Sequence, residues 1–524
     1  MSVVTYTFIV FLLCTIVLYY IVPKKIQWVI LLLASLVFYG YAGIEYLFLV
    51  IATAVVVYLF SLRLQKSLDE QEELAKDADR RTARKIKAAE KAKRKKFLVW
   101  ALVIVIGVLA AFKAFGFVLD NIKRFIPYDG LQSIPDWNLI APLGISFYSF
   151  MMISYLVDLY NGRISAQKNF FRYLSYVLYF PHVTQGPIAR YEEVGYQLWE
   201  EHSFNMDTIM RGVWLMLWGF VKKIVIADRI GAFTKEIFGH TFDYHGGIFL
   251  AVGIAYSIQI YCDFSGCMDI VRGTSECFGI VLGENFRRPY FSQTLPEFWR
   301  RWHITLGAWM KDYIFYPMSL SKGMNKFSKW GRKHIGNFVG RTLPICFVDI
   351  VIFFIVGIWH GASWKYIVYG LYNGFILAFS SLMEPVYKKM AQKCHINTNS
   401  RGWKVWQIIR TFILVNIGWY FDMAGSFKDA LIMMKYTVVG FSPSLLFDGS
   451  LLRLRIGVRD YWIILIGCIV IFVISLLKEK GVSIRESIAN KNIVIRWGIW
   501  YVFILLIIIF GYTEGVQAFL YANF

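Results

Sequence analysis

Cysteine is scarce in this 524-residue chain: there are seven, an odd number, scattered through mostly apolar stretches, with no C-x-x-C pair. They read as small buried hydrophobes, so neither a disulfide framework nor a metal site is expected. The two glycine-rich phosphate signatures, G-x-x-x-x-G-K-[ST] and G-x-G-x-x-G, are also missing, which removes the usual nucleotide folds. Acidic residues are few, 35 against 56 Lys and Arg, for a formal charge of +21. The excess sits in loops between apolar runs and not on one compact domain, so it reads as positive-inside topology rather than nucleic-acid binding. The first apolar run has no basic segment before it and no small-residue cleavage site after it, where Val22-Pro23-Lys24-Lys25 follows. It is therefore expected to stay as a membrane helix. The two halves of the chain share no matching glycine- or proline-broken segments, which argues against an inverted-repeat transporter or flippase.

What is present is apolar surface: 57% hydrophobic residues, 18% aromatics and a mean hydropathy of +0.50. Such a chain is an all-α polytopic membrane protein, and its runs predict about 11–13 transmembrane or re-entrant helices around a central cavity. Residues 1–61 form N-terminal membrane helices, 62–97 a charged cytoplasmic helical insert and 98–524 the core. Lys24, Lys25 and the basic residues from Arg63 onward place two loops in the cytoplasm and the N-terminus outside a cytoplasmic membrane. The segment Arg63 to Lys96 carries thirteen Lys/Arg and seven Asp/Glu without Gly or Pro, the composition of a solvated helix.

The most informative stretch runs from Glu284 to Gly374. Arg287, Arg288, Arg300, Arg301 and Lys311 alternate there with Phe298, Trp299, Trp302 and Tyr313, so the segment cannot be an ordinary spanning helix. It contains His303, and the apolar run after it ends in Trp359-His360-Gly361. Ionisable residues at membrane depth are costly and are functional candidates by default. His182, in the proline-broken stretch Phe180 to Arg190, is expected to be structural. Asp263 and Asp269 are expected at the end of an apolar helix, as caps or arginine partners, with acid/base chemistry the alternative. Lys222-Lys223 reads as a cytoplasmic boundary. Broken backbone around 181–190, 261–269 and 286–320 is expected to line the cavity.

In order along the chain stand Gln185-Gly186-Pro187-Ile188-Ala189-Arg190-Tyr191, Gly219-Phe220-Val221-Lys222-Lys223, Tyr261-Cys262-Asp263-Phe264-Ser265-Gly266, Glu284-Asn285-Phe286 and Phe298-Trp299-Arg300-Arg301-Trp302-His303. Trp309-Met310-Lys311-Asp312-Tyr313, Trp359-His360-Gly361 and Gln517-Ala518-Phe519-Leu520-Tyr521 follow. In these motifs the chain resembles the membrane-bound O-acyltransferase family. It looks closest to the alginate O-acetylase type, with the teichoic acid D-alanyl transferases more distant. It departs from the alginate type after Pro317, where Met318-Ser319-Leu320-Ser321-Lys322 replaces a Gly-Gly-Asn-Arg run.

The resemblance implies a catalytic role for His360 and a second essential histidine at His303. Acyl transfer to a hydroxyl needs a base, oxyanion stabilisation and exclusion of water, and histidine suits the first task. Substrate or donor binding is assigned to Arg300, Arg301, Trp302, Trp359, Asp263, Ser265, Asn285, Lys311 and Asp312. No bound cofactor or metal is expected. The co-substrate would be an acyl thioester, acetyl-CoA or the phosphopantetheine of an acyl carrier protein, met by the basic stretch 286–333. The acceptor would be an extracytoplasmic polysaccharide, reached directly or through an acyl-accepting partner protein.

Overall fold

The computed structural model describes every residue except 127–128, 138, 240–243, 245, 440, 442–443, 445–446, 450, 452–455, 513–518 and 521–524. Gln517, Ala518 and Tyr521 of the last motif thus lie outside the described residues. The described chain is helical, with no β-strand among its residues, and it is a multi-pass membrane protein. Among the described residues, seven helices are long and apolar enough to span a bilayer, and two shorter apolar helices, Tyr6–Ile21 and Ile145–Tyr160, accompany them. The apolar runs longer than about 18 residues set this outcome, because only intra-segment hydrogen bonding satisfies the backbone in hydrocarbon.

The chain forms two compact units, Met1–Met216 with Val271–Gly283, and Leu217–Ile270 with Glu284–Phe524. In the first, α1 (Ile44–Lys76) and α2 (Arg80–Lys113) run on from their apolar halves into the charged stretch without a break. Asp79 starts α2 by accepting hydrogen bonds from the backbone N–H of Arg81 and Thr82. The two charged ends are zipped together by Lys93–Glu70 at 2.7 Å and by Arg94, which donates to the Ser67 carbonyl and the Gln71 side chain. The broken stretch after residue 178 is fully buried. His182 there shares a 3.0 Å hydrogen bond with the Tyr176 carbonyl, and a Cβ at Gly186 would sit 2.4 Å from its Cα. It is a buried core histidine, held through Nε2.

In the second unit, residues 221–227 continue directly from the helix α3 (Met206–Phe220) as a π-helical segment and lead into α4 (Asp228–Gly239). Beside them runs α5 (Gly247–Glu276). Tyr261 to Asp269 lies in the middle of α5, so the expected break and the expected helix-end position of the two aspartates are both corrected. Glycine allows the helices to approach: a Cβ on Gly219 would meet the Gly266 carbonyl at 2.5 Å, and one on Gly266 would meet the Gly219 carbonyl at 2.9 Å. Small residues at matched positions are the usual device for close helix contact in membranes. Between 286 and 320 the chain does break, into the short helices α6 (Leu295–Arg301) and α7 (Ile304–Met310), with a π-helical turn at Lys311–Phe315. Then follow α8 (Asn337–His360) and α9 (Trp364–Lys393), joined by Gly361 to Ser363. They pack closely because a Cβ on Gly357 or Gly370 would strike the opposing backbone at 2.4 and 2.1 Å.

Candidate active site

Between α6 and α7, directly before the first residue of α7, stands His303, held in a left-handed conformation at φ 47°. A non-glycine residue there is strained and persists only where its surroundings over-determine it. Asn285 supplies that constraint. Its backbone carbonyl accepts the Ile304 N–H at 3.1 Å, and its side-chain oxygen accepts the Thr305 N–H at 2.9 Å and hydroxyl at 2.8 Å. The same oxygen lies 3.5 Å from His303 Nδ1. A short antiparallel bridge between Phe286 and Trp302 clamps the two segments together. His303 is 3% exposed and lies outside the spanning helices. Burial, reinforced by the neighbouring His360, holds its imidazole well below the ordinary histidine value, so it is neutral.

His360 closes α8 and is also buried. Its ring packs against Tyr366 at 6.1 Å and Tyr369 at 5.6 Å. Gly361 follows because a Cβ there would lie 2.7 Å from the Tyr366 ring. Trp359 joins the two histidines: its ring is 4.9 Å from His360 and 5.8 Å from His303. Phe264 of α5 meets His303 edge-on at 4.8 Å, while Trp302 stacks on Phe298 and packs against Trp419. Two imidazoles thus converge on one indole inside an aromatic shell. Such a shell excludes water and can hold a base beside a reacting hydroxyl.

The structure therefore brings His303, His360, Trp359, Trp302 and Asn285 together. Arg301 is engaged elsewhere, paired with Glu297 at 2.7 Å and Glu479 at 3.1 Å. Arg300 and Lys311 are exposed and Asp312 is half-buried. No group of three or more His, Cys, Asp or Glu able to hold a metal occurs among the described residues.

Comparison with known proteins matches the profile described as the membrane-bound O-acyltransferase family to residues 163–422, which include both histidines. The probable alginate O-acetylase of Pseudomonas aeruginosa is 30% identical over 79% of this chain and 70% of its own. The chain belongs to the membrane-bound O-acyltransferase family. The peptidoglycan O-acetyltransferase of Helicobacter pylori is 28% identical over 77% of this chain and 72% of its own. The teichoic acid D-alanyltransferase of Bacillus subtilis is 27% identical over 62% of this chain and 82% of its own. This protein is accordingly a membrane O-acyltransferase.

The sequence reading of this O-acyltransferase missed the role of Lys222 and Lys223. Neither is a solvated surface lysine, since both are buried inside the second unit. Lys223 lies 2.6 Å from Asp263 and 2.7 Å from Asp228, while Lys222 lies 2.7 Å from Asp269 and donates to Ser265 at 2.9 Å. The aspartates of α5 thus pair with lysines, not with Arg287 or Arg300. Asp263 also accepts the Leu520 N–H at 3.0 Å. Asp263 and Ser265 flank Phe264, so this ion-pair cluster braces the ring that touches His303.

Proposed function

We propose that the protein carries an acyl group, in the first place acetyl, from a cytoplasmic thioester to a hydroxyl of an extracytoplasmic polysaccharide, directly or through an acyl-accepting partner protein. The donor would be acetyl-CoA or an acylated carrier-protein phosphopantetheine. His360 takes the hydroxyl proton as the oxygen attacks the thioester carbonyl, and the thiolate leaves toward the cytoplasm. His303, neutral and fixed by Asn285, orients the acyl carbonyl. The observation that carries this reading is the convergence of the two buried imidazoles on Trp359. The names of the relatives support a polysaccharide acceptor. D-alanyl transfer to teichoic acid is the second reading, favoured by the Bacillus relative.

His360→Ala is expected to leave membrane insertion and abundance unchanged and to lower acyl transfer by a factor on the order of 100 or more, the scale of a lost general base. His360→Gln keeps hydrogen bonding without useful basicity and should be nearly as poor. Near-normal transfer by the Gln variant would remove His360 as the base. Mass spectrometry of surface polymers with and without the gene separates acetyl from D-alanyl and identifies the acceptor.

A further inference from the structure

A cavity of about 260 Å³ opens beside α10 (Val458–Glu479), between it, α5 and the segment Arg288 to Phe291. Ile258, Tyr261 and Cys262 line it from α5, and Cys468, Ile471, Phe472 and Ser475 line it from α10. Their spacing of three, four and seven residues puts all four on one helix face. The lined face runs roughly 10 Å along the axis at the α-helical rise. Only 6% of the apolar window of α10 is buried by protein, so the cavity lies on a lipid-facing helix. Its outer end lies within about one turn of Glu479, where the span stops between Lys478 and Lys480. Those two lysines place that end at the headgroup level. The slot therefore runs from the interface into the hydrocarbon, as an acyl chain does.

The rim is charged. Arg288 lines the cavity, stands in a left-handed conformation at φ 51°, and reaches Glu479 at 2.5 Å. Arg301 shares that carboxylate and also pairs with Glu297. Arg288 and Arg301 thus face Glu297 and Glu479, and Lys478 and Lys480 flank Glu479 in the sequence, a positive excess at the mouth of an apolar slot. Basic residues at that depth attract lipid phosphate.

We propose that this slot holds one acyl chain of a membrane phospholipid, with its phosphate against Arg288. The full chain, purified in detergent and stripped of lipid, is titrated by native mass spectrometry with phosphatidylglycerol and with a diacylglycerol of the same chains. One phosphatidylglycerol should be retained per chain, with the diacylglycerol at least tenfold weaker. Arg288→Gln should abolish that preference, and Cys468→Trp and Ile471→Trp, which fill the slot independently, should each abolish retention. Equal binding of the two lipids, or an intact phosphatidylglycerol adduct in either folded tryptophan variant, overturns the proposal. A second readout does not depend on folding of those variants. In a Cys14→Ser/Cys394→Ser background, maleimide alkylation of Cys468 should slow several-fold when phosphatidylglycerol is added. An unchanged alkylation rate also overturns it.

Discussion

Replacing Lys223 with Met tests how the second unit tolerates charge at membrane depth. The ammonium sits 2.6 Å from Asp263 and 2.7 Å from Asp228, and the three side chains are 1%, 3% and 2% exposed. At an effective dielectric constant of 20, each contact is worth about 6 kcal/mol of gross attraction, most of it offset by desolvation. Removing the lysine restores little of that desolvation. It leaves two buried carboxylates facing each other, and breaking a buried pair in this way costs about 3–5 kcal/mol. Lys223→Met is therefore expected to lose that much stability. The triple variant Lys223→Met/Asp228→Asn/Asp263→Asn should recover most of the loss, because neutral side chains of similar shape replace the whole cluster. Denaturation in detergent, followed with a fluorogenic maleimide, reads the effect locally, since Cys262 and Cys267 are buried on the same turns of α5 as Asp263. A single variant that unfolds at the unmodified denaturant concentration would refute the reasoning. So would a triple variant no more stable than the single one.

Arg300→Gln should raise the apparent KM for the thioester donor with little change in kcat, since its exposed guanidinium is open to a phosphate; steady-state kinetics in proteoliposomes decide it. Arg301→Gln should lower thermal stability instead, because it frees Glu297 and Glu479 from their shared partner. A cysteine at Ala78, in the turn between α1 and α2, should resist a membrane-impermeant thiol reagent in intact cells, and labelling there would invert the topology. His202, in the loop before α3, is held below the ordinary histidine value by burial. The folded protein therefore binds fewer protons there than the unfolded chain. Its contribution to stability is present above the unfolded value near 6.5 and is lost as pH falls below it. His202→Asn should make the acid limb of a stability-against-pH curve shallower, which unfolding measured from pH 7.5 to 5 would show.

The helices were legible because hydrophobic length is a local property. The apolar runs at 247–264 and 343–359 are found inside α5, which continues to Glu276, and α8, which starts earlier at Asn337. The histidines were legible for a related reason: a costly residue placed between Trp and Gly in an apolar context marks itself. Asn285 was legible only through the resemblance, since nothing local says that its side chain will fix a backbone twenty residues away.

Lys222 and Lys223 show where such reasoning fails. Two adjacent lysines at the end of an apolar run are, by composition, indistinguishable from a membrane boundary. On a regular helix they would point about 100° apart, which makes a shared buried fate look unfavourable. Here the residues from Val221 form a π-helical turn, whose larger number of residues per turn narrows the angle between neighbouring side chains, and π-turns of this kind are frequent at functional sites. Asp228 stands five residues after Lys223, but the other partners lie some forty residues further along, on α5, at Asp263 and Asp269. Periodicity carries no information about partners at that distance. The one local sign was glycine: Gly219 stands shortly before the lysines, and Gly266 midway between the aspartates. Two apolar helices that each place a glycine beside opposite charges can approach backbone to backbone, and only such an approach makes 2.6–2.7 Å ion pairs reachable by side chains from both. A glycine at matched positions on charged apolar helices is therefore better read as the marker of a buried ion pair than as a weakness in either helix.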